Sequence, residues 1–270
     1  MTAFRIKIFF LMCLTASTIL WGRASYSETS ISEQTLTSDI IIEEMYQPGS
    51  GLPLGKVQSV RGEAIVFHRN PTVGYRIQAG LPLYAGDIMH TRETAWILCR
   101  LIDGSHIVLT PKTTLTILQS SYNSSRKISV TSLDLKHGSA RFKLNPMPDL
   151  YAYDYKVRTE LCLTRAREAD FVVQANPEST EIVAFENSRL EVTSMAQPED
   201  ITFLSDFQRT IVSETIISPT VETLSREDIE IMMTGVPTAL SGALAAGGTK
   251  DESPVPKTED SLIEEDIVED

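Results

Sequence analysis

The chain is poor in the residues from which most active sites are assembled. Its four histidines, His68, His90, His106 and His137, are scattered and keep no metal-ligand spacing. No glycine-rich phosphate loop and no paired carboxylates stand out. Asp103, Ser105 and His106 sit together, but adjacent strand residues point to opposite faces, so Ser105 and His106 cannot act as nucleophile and base. No catalytic residue, metal or cofactor is expected, and the chain does not read as an enzyme. Cationic charge is scarce too: 24 Lys and Arg face 36 Asp and Glu, a net charge of -12. That balance excludes a phosphate-neutralising surface, and with it nucleic acid as a partner. Only three cysteines occur in 270 residues. Past the first residues, no apolar run is long enough to cross a bilayer.

What is present begins with an export signal. Arg5 and Lys7 precede an uncharged run from Ile8 to Trp21, and Ser25 and Ser27 flank Tyr26 before Glu28. This is the layout of a secretory signal over residues 1–27. The run falls short of the roughly 20 residues of a comfortable span, which argues against an uncleaved anchor. The expected compartment is periplasmic or extracellular, with no membrane span left after cleavage. Cys13 lies inside the leader. Cys99 and Cys162 remain, in a compartment that permits a disulfide. They either pair across neighbouring strands or stay as buried thiols acting as small hydrophobes.

Three hairpin patterns indicate an all-β domain. In the first, a three-residue loop of Ile102, Asp103 and Gly104 pairs Cys99 with Ile107 and Ile97 with Leu109, so that Ile97, Cys99, Leu101, Ile107 and Leu109 share one face. Gly104 takes the left-handed conformation. A two-residue loop would mix Arg100 into that face. The opposite face, with Trp96, Leu98, Ile102 and Val108 beside Arg100 and His106, is expected to be partly covered. In the second, a His137-Gly138 turn sets Leu135 across from Ala140 and Leu133 across from Phe142, with Arg141 and Lys143 outward. In the third, Asn187 fills the left-handed place between Glu181 and Val192, and Ile182, Ala184, Leu190 and Val192 fall together. The expected fold is a mostly antiparallel two-layer sandwich, or a short solenoid-like β domain, with one short C-terminal helix. Pattern alone separates neither these two nor a closed barrel.

Composition divides the chain further. Residues 28–53 are a polar arm, a short helix or a loose segment, and strands begin at Leu54–Gln58 and Ala64–Phe67. The β domain runs over 54–195, and a strand and helix extension over 196–241. There Ser225 caps a helix with Asp228 three residues on, while Leu224, Ile229, Met232 and Met233 supply an apolar stripe that Gly235 and Pro237 end. Residues 242–270 form a disordered acidic tail. From Lys250 onward, nine acids (Asp251, Glu252, Glu259, Asp260, Glu264, Glu265, Asp266, Glu269, Asp270) meet two lysines (Lys250, Lys257).

The succession of anchors resembles a known family. Gly55-Lys56-Val57, Arg61-Gly62-Glu63-Ala64, Leu83 to Thr91, Asp103-Gly104-Ser105, Gly138 to Phe142, Val157-Arg158-Thr159 and Asp170 to Val173 look like the FecR domain over roughly residues 55–195. The family is named after a periplasmic regulator of iron-dicitrate transport. Two places depart from its pattern: Arg167-Glu168-Ala169 before a late strand, and Asn187 where members usually carry glycine. For full regulators the resemblance implies a cytoplasmic segment that holds a sigma factor, a membrane helix and a periplasmic part that hears an outer-membrane receptor. Only a few residues precede the apolar run here, so the expectation is a sensor-type domain without a sigma-binding region. Three roles follow: a non-enzymatic binding or scaffold module engaging an envelope protein or polymer, a secreted structural spacer, or a signalling component of an outer-membrane receptor system.

Overall fold

The computed structural model describes residues 40–68, 72–145, 152–214, 220–225 and 227–229. The expected leader, the start of the arm and the acidic tail lie outside them. Among the described residues the chain moves back and forth between two sheets. Strand β1 (Ile41–Glu43) lies in sheet A and β2 (Gly55–Arg61) in sheet B; β3 (Ala64–His68) and β4 (Val73–Arg76) return to A. After β5 (Pro82–Leu83) in B and β6 (Asp87–Thr91) in A, the hairpin of β7 (Trp96–Leu101) and β8 (His106–Leu109) lies in B. Strand β9 (Thr114–Asn123) pairs in A with the first part of β10 (Ile128–Lys143), which then crosses into B.

From there the path is regular. Strands β11 (Ala152–Arg158) and β12 (Cys162–Glu168) pair in A, and β13 (Asp170–Ala175) and β14 (Ser179–Ala184) pair in B. Strands β15 (Arg189–Ser194) and β16 (Ile201–Leu204) extend A, and β17 (Gln208–Ser213) and β18 (Val221–Thr223) extend B. Pairings are antiparallel except β1 with β4 and β10 with β11. The fold is thus an open, mostly antiparallel two-layer β structure. Its layers are those of a sandwich, laid down in solenoid-like steps in which each new hairpin adds to the far edge of its sheet.

Alternation on the strands builds the core between the layers. Val57, Ile97, Cys99, Ile107, Leu109, Ala140 and Phe142 enter from sheet B, and Val66, Met89, Leu115, Ile117, Leu133, Leu135 and Val157 from sheet A. Phe142 packs between Phe171 and Tyr155, ring centroids 5.2 and 6.4 Å away. The first hairpin has the expected register: Cys99 faces Ile107, Ile97 faces Leu109, and Gly104 has φ +83°. Leu98 and Val108 on its outward face are buried.

Two expectations need correction, and one open alternative is decided. His137 and Gly138 make no hairpin turn, because β10 runs unbroken through them. Leu133 pairs with Ile117 and Val157, and Phe142 with Ile107 and Phe171. Gly138, at φ +91°, marks instead the bulge where β10 leaves sheet A for sheet B. Asn187 is left-handed at φ 59°, yet β14 and β15 do not pair; they lie in opposite sheets, so residues 185–188 are an arc that carries the chain across the core. Ile182, Ala184, Leu190 and Val192 still share that core, approached from its two sides. Cys99 and Cys162 are both free and buried. Cys99 lies in sheet B with its Sγ 3.7 Å from Met89 Sδ, whereas Cys162 lies in sheet A against Thr159, so the two are not cross-strand neighbours.

Smaller differences are local. The Arg167–Ala169 departure is a bulge, with a register shift against β15 between Ala166 and Glu168. The arm contributes an edge strand, β1, and the described residues of the extension hold three strands where one was expected. The helix cap is as read: Asp228 N donates to Ser225 Oγ at 3.2 Å and Ser225 N to Asp228 Oδ2 at 3.1 Å. Leu224 and Ile229 pack on Val172, Val183 and Phe185, on the outer face of sheet B. Met232 and Met233 lie outside the described residues.

Candidate functional site

The tip of the β7–β8 hairpin turns inward at one end of the sandwich. Its loop closes through Gly104 N donating to Leu101 O at 3.0 Å and Leu101 N donating to Ser105 O at 2.9 Å. Asp103 curls back to accept from Ser105 N at 2.9 Å, a side-chain turn of the kind aspartate favours. Its other oxygen accepts from Thr131 Oγ1 at 3.3 Å, and that hydroxyl meets Ser120 Oγ at 3.2 Å. Asn145 clamps the tip from beyond β10, donating Nδ2 to Asp103 O and its backbone N to Ser105 Oγ. Asp103, Ser105, Ser120, Ser129 and Thr131 are all buried. This end of the core is therefore polar, whereas its middle is apolar.

Burial pushes the Asp103 carboxyl up, and hydrogen bonds from Ser105 and Thr131 pull it partly back. Tyr153 and Tyr155 stack nearby, centroids 6.4 Å apart, and both are pushed up, first by burial and then by the Asp103 charge. Ser129 Oγ and the Tyr155 hydroxyl are buried without a hydrogen-bond partner among the described residues. Ser105 faces inward and His106 outward, as the alternation requires. Burial lowers His106, and the Arg100 and Lys143 charges lower it further.

The raised Asp103 carboxyl carries a sign. A buried acid that is protonated more readily in the folded than in the unfolded chain weakens the fold as pH rises from the unfolded value, about 4, through its raised folded value. Asp103→Asn removes that proton uptake. Urea unfolding of both proteins from about pH 4 upward should show the wild type losing ground to the variant as pH increases. A constant difference would contradict this assignment.

A second buried pair lies at the same end of sheet A, where β3 finishes and β6 begins. His68 Nδ1 stands 2.6 Å from Asp87 Oδ1, and Tyr84 N donates to Asp87 Oδ2 at 2.8 Å. The rings of Tyr46, Tyr75 and Tyr84 surround the imidazole, centroids 5.4–5.9 Å away. Burial raises the Asp87 carboxyl against the pull of His68. Tyr46 is carried by the arm and donates to Pro82 O at 3.1 Å, so the cluster ties that arm to the edge of sheet B. Among the described residues no group of three His, Cys, Asp or Glu is placed to hold a metal.

The far edge of the fold offers a different surface. Among the described residues β16 pairs only with β15. Its Ile201 and Phe203 point outward, 49% and 65% exposed, while Leu204 is buried. In sheet B, β18 pairs only with β17 and is exposed throughout. An open edge with two large apolar side chains is what a partner strand could extend. Ile201, Phe203 and the Asp103 partners Thr131, Ser120 and Asn145 were not singled out from sequence. Short edge strands and contacts distant along the chain leave no local pattern.

The chain has two kinds of likeness to known proteins. Two crystal structures of a proposed anti-sigma factor from Parabacteroides distasonis align with a TM-score of 0.43 and 17% identity over 55% of this chain. The alignments cover 65% and 64% of those chains. No curated protein matches. The family described as FecR protein matches residues 87–188, from the start of β6 through the arc after β14. That stretch, which holds Asp87, the Asp103-Gly104-Ser105 tip, the Gly138 crossing and Asn187, is similar to the FecR domain.

Proposed function

We propose that this chain is an exported, non-enzymatic binding module of the FecR type, working in the periplasm or outside the cell, and that it captures an extended segment of an envelope protein along β16. The observation that carries the reading is the open end of sheet A, where Ile201 and Phe203 stand exposed on a strand paired on one side only. Main-chain hydrogen bonds would supply affinity there, and the two side chains selectivity. The apolar run behind Arg5 and Lys7 supports export. The inward Ser105 and outward His106 support a role without catalysis.

The test is site-specific photo-cross-linking in cells. A photoreactive side chain at position 203 should give a discrete adduct, and one at Lys112, on the turn after β8, should not. Ile201→Asp and Phe203→Asp should cut capture of that partner by about tenfold, equivalent to about 1.4 kcal/mol, while changing stability by no more than about 0.5 kcal/mol. Capture unaffected by both substitutions would overturn the proposal.

A further inference from the structure

The polar end of the core holds three hydroxyls that the folded chain does not satisfy. Ser129 Oγ and the hydroxyls of Tyr153 and Tyr155 are each shut off from solvent and bonded to nothing among the described residues. Strand register puts them together. On the parallel pair β10 and β11, Ser129 stands beside Tyr153 and Thr131 beside Tyr155, while on β9 Ser120 stands beside Thr131. The next pair along, Leu133 and Val157, points into the core, so by alternation all five residues belong to the inner surface of sheet A. The Tyr153 and Tyr155 rings lie 12° from parallel with centroids 6.4 Å apart. They leave the same face of one strand, so their hydroxyls stand side by side. A single molecule bridging two hydroxyls spans about 5.6 Å, twice the usual O–H···O distance.

Opposite this surface stands the inward tip of β7 and β8. Asp103 accepts one bond from Ser105 N and one from Thr131 Oγ1. Thr131 gives its only proton to that carboxylate and therefore accepts from Ser120. A carboxylate offers about four lone-pair sites, so Asp103 keeps acceptor capacity that these partners do not use. Hydroxyl protons in want of an acceptor thus lie across from a buried acid with lone pairs to spare. The side chains between them, Ser105, Ser120, Ser129 and Thr131, are small and buried, whereas Phe142 and Phe171 fill the middle of the core. Interior polar groups so placed are ordinarily joined by an enclosed water that makes about three hydrogen bonds.

We propose that the Asp103 end of the sandwich is an internal hydration site, in which a water molecule held by the hydroxyls of Tyr155, Tyr153 and Ser129 bridges them to the Asp103 carboxyl. The water ties the β7–β8 tip, in sheet B, to β10 and β11 in sheet A, alongside the direct bond from Thr131. This site is independent of capture at β16, and either can fail without the other.

Oxygen-17 magnetic relaxation dispersion on the full chain tests it, because that measurement counts waters enclosed for longer than the molecule tumbles. Tyr155→Phe should lower the dispersion amplitude by about one enclosed water, and Ser129→Ala, a gentler change, should lower it too. Urea unfolding puts a sign on the same question. If these hydroxyls bond a water, removing either strands it and lowers the midpoint; if they are bare orphans, removing either relieves a buried unsatisfied group and raises the midpoint. Both midpoints should fall, while Ser121→Ala, which loses an exposed hydroxyl on the outer face of β9, should alter neither reading. An unchanged amplitude in both variants, or a midpoint that rises in both, would overturn the proposal.

Discussion

Gly138→Val is expected to cost about 2–5 kcal/mol, a large share of the stability of a typical domain. Two causes add. A side chain at φ +91° is in a region that costs an L-residue roughly 1–2 kcal/mol, and overpacking costs a further 1–3 kcal/mol or so. A Cβ at Gly138 would stand 2.4 Å from Thr113 Oγ1, 2.5 Å from Lys112 O and 2.6 Å from Thr113 Cα. Two of those three atoms are backbone and cannot swing aside. Nor can Thr113 withdraw freely, since its hydroxyl accepts from Ser139 N and donates to Ser139 O, both at 3.0 Å. These contacts lock the corner at which β10 changes sheets, and both halves of the core depend on that corner. Urea unfolding followed by far-ultraviolet circular dichroism measures the effect, with Gly86→Ala as comparison. Gly86 has φ +85° but nothing within 4 Å of its added Cβ, so only the conformational cost, about 1–2 kcal/mol, applies. Equal midpoints for Gly138→Val and wild type would show that the crossing is not held this way.

The same glycine shows where local sequence stops being informative. A left-handed glycine between two amphipathic stretches suits a tight turn and a bulged crossing equally well. With Leu133, Leu135, Ala140 and Phe142 all core-facing in both cases, the apolar pattern is the same. What separates them is the packing of Lys112 and Thr113 against Gly138, a contact between segments far apart in the chain. Asn187 is ambiguous in a similar way, because an arc between sheets and a hairpin within one both need a reversal, and residues on either side then face a common core. The β7–β8 register was legible because the alternative loop length placed Arg100 among apolar side chains. The Asp103 tip could be named, but its setting could not: Thr131, Ser120 and Asn145 come from separate strands and no spacing links them.

Arg141→Ala is the second substitution with a large expected effect, about 3–5 kcal/mol, and its cause is electrostatic where that of Gly138 is steric. Arg141 lies on the outward face of sheet B yet is only 9% exposed. Its Nε and Nη2 grip Asp170 at 2.7 and 2.8 Å, a bidentate geometry that lysine could not reproduce. The guanidinium also stands 5.0 Å from the Phe185 ring centroid, a cation–π contact, and Phe185 in turn packs with Leu224. Removing one member of a mostly buried pair leaves the other charge without compensation, which costs more than the pair contributes when intact. Asp170 is badly placed to absorb that loss. Its backbone N already donates to Ser188 Oγ at 3.0 Å, while its carbonyl accepts from Phe185 N and Ser188 Oγ, both at 2.8 Å. These backbone bonds fix Asp170 at the foot of the arc at 185–188 that leads from β14 to β15. Asp170→Asn in the Arg141→Ala background should recover part of the loss, since it removes the stranded charge and keeps the backbone contacts. A double-mutant cycle should give a coupling above about 1.5 kcal/mol. Additive losses would mean that Arg141 acts through its packing on Phe185 alone, and that the ion pair contributes nothing to holding the arc.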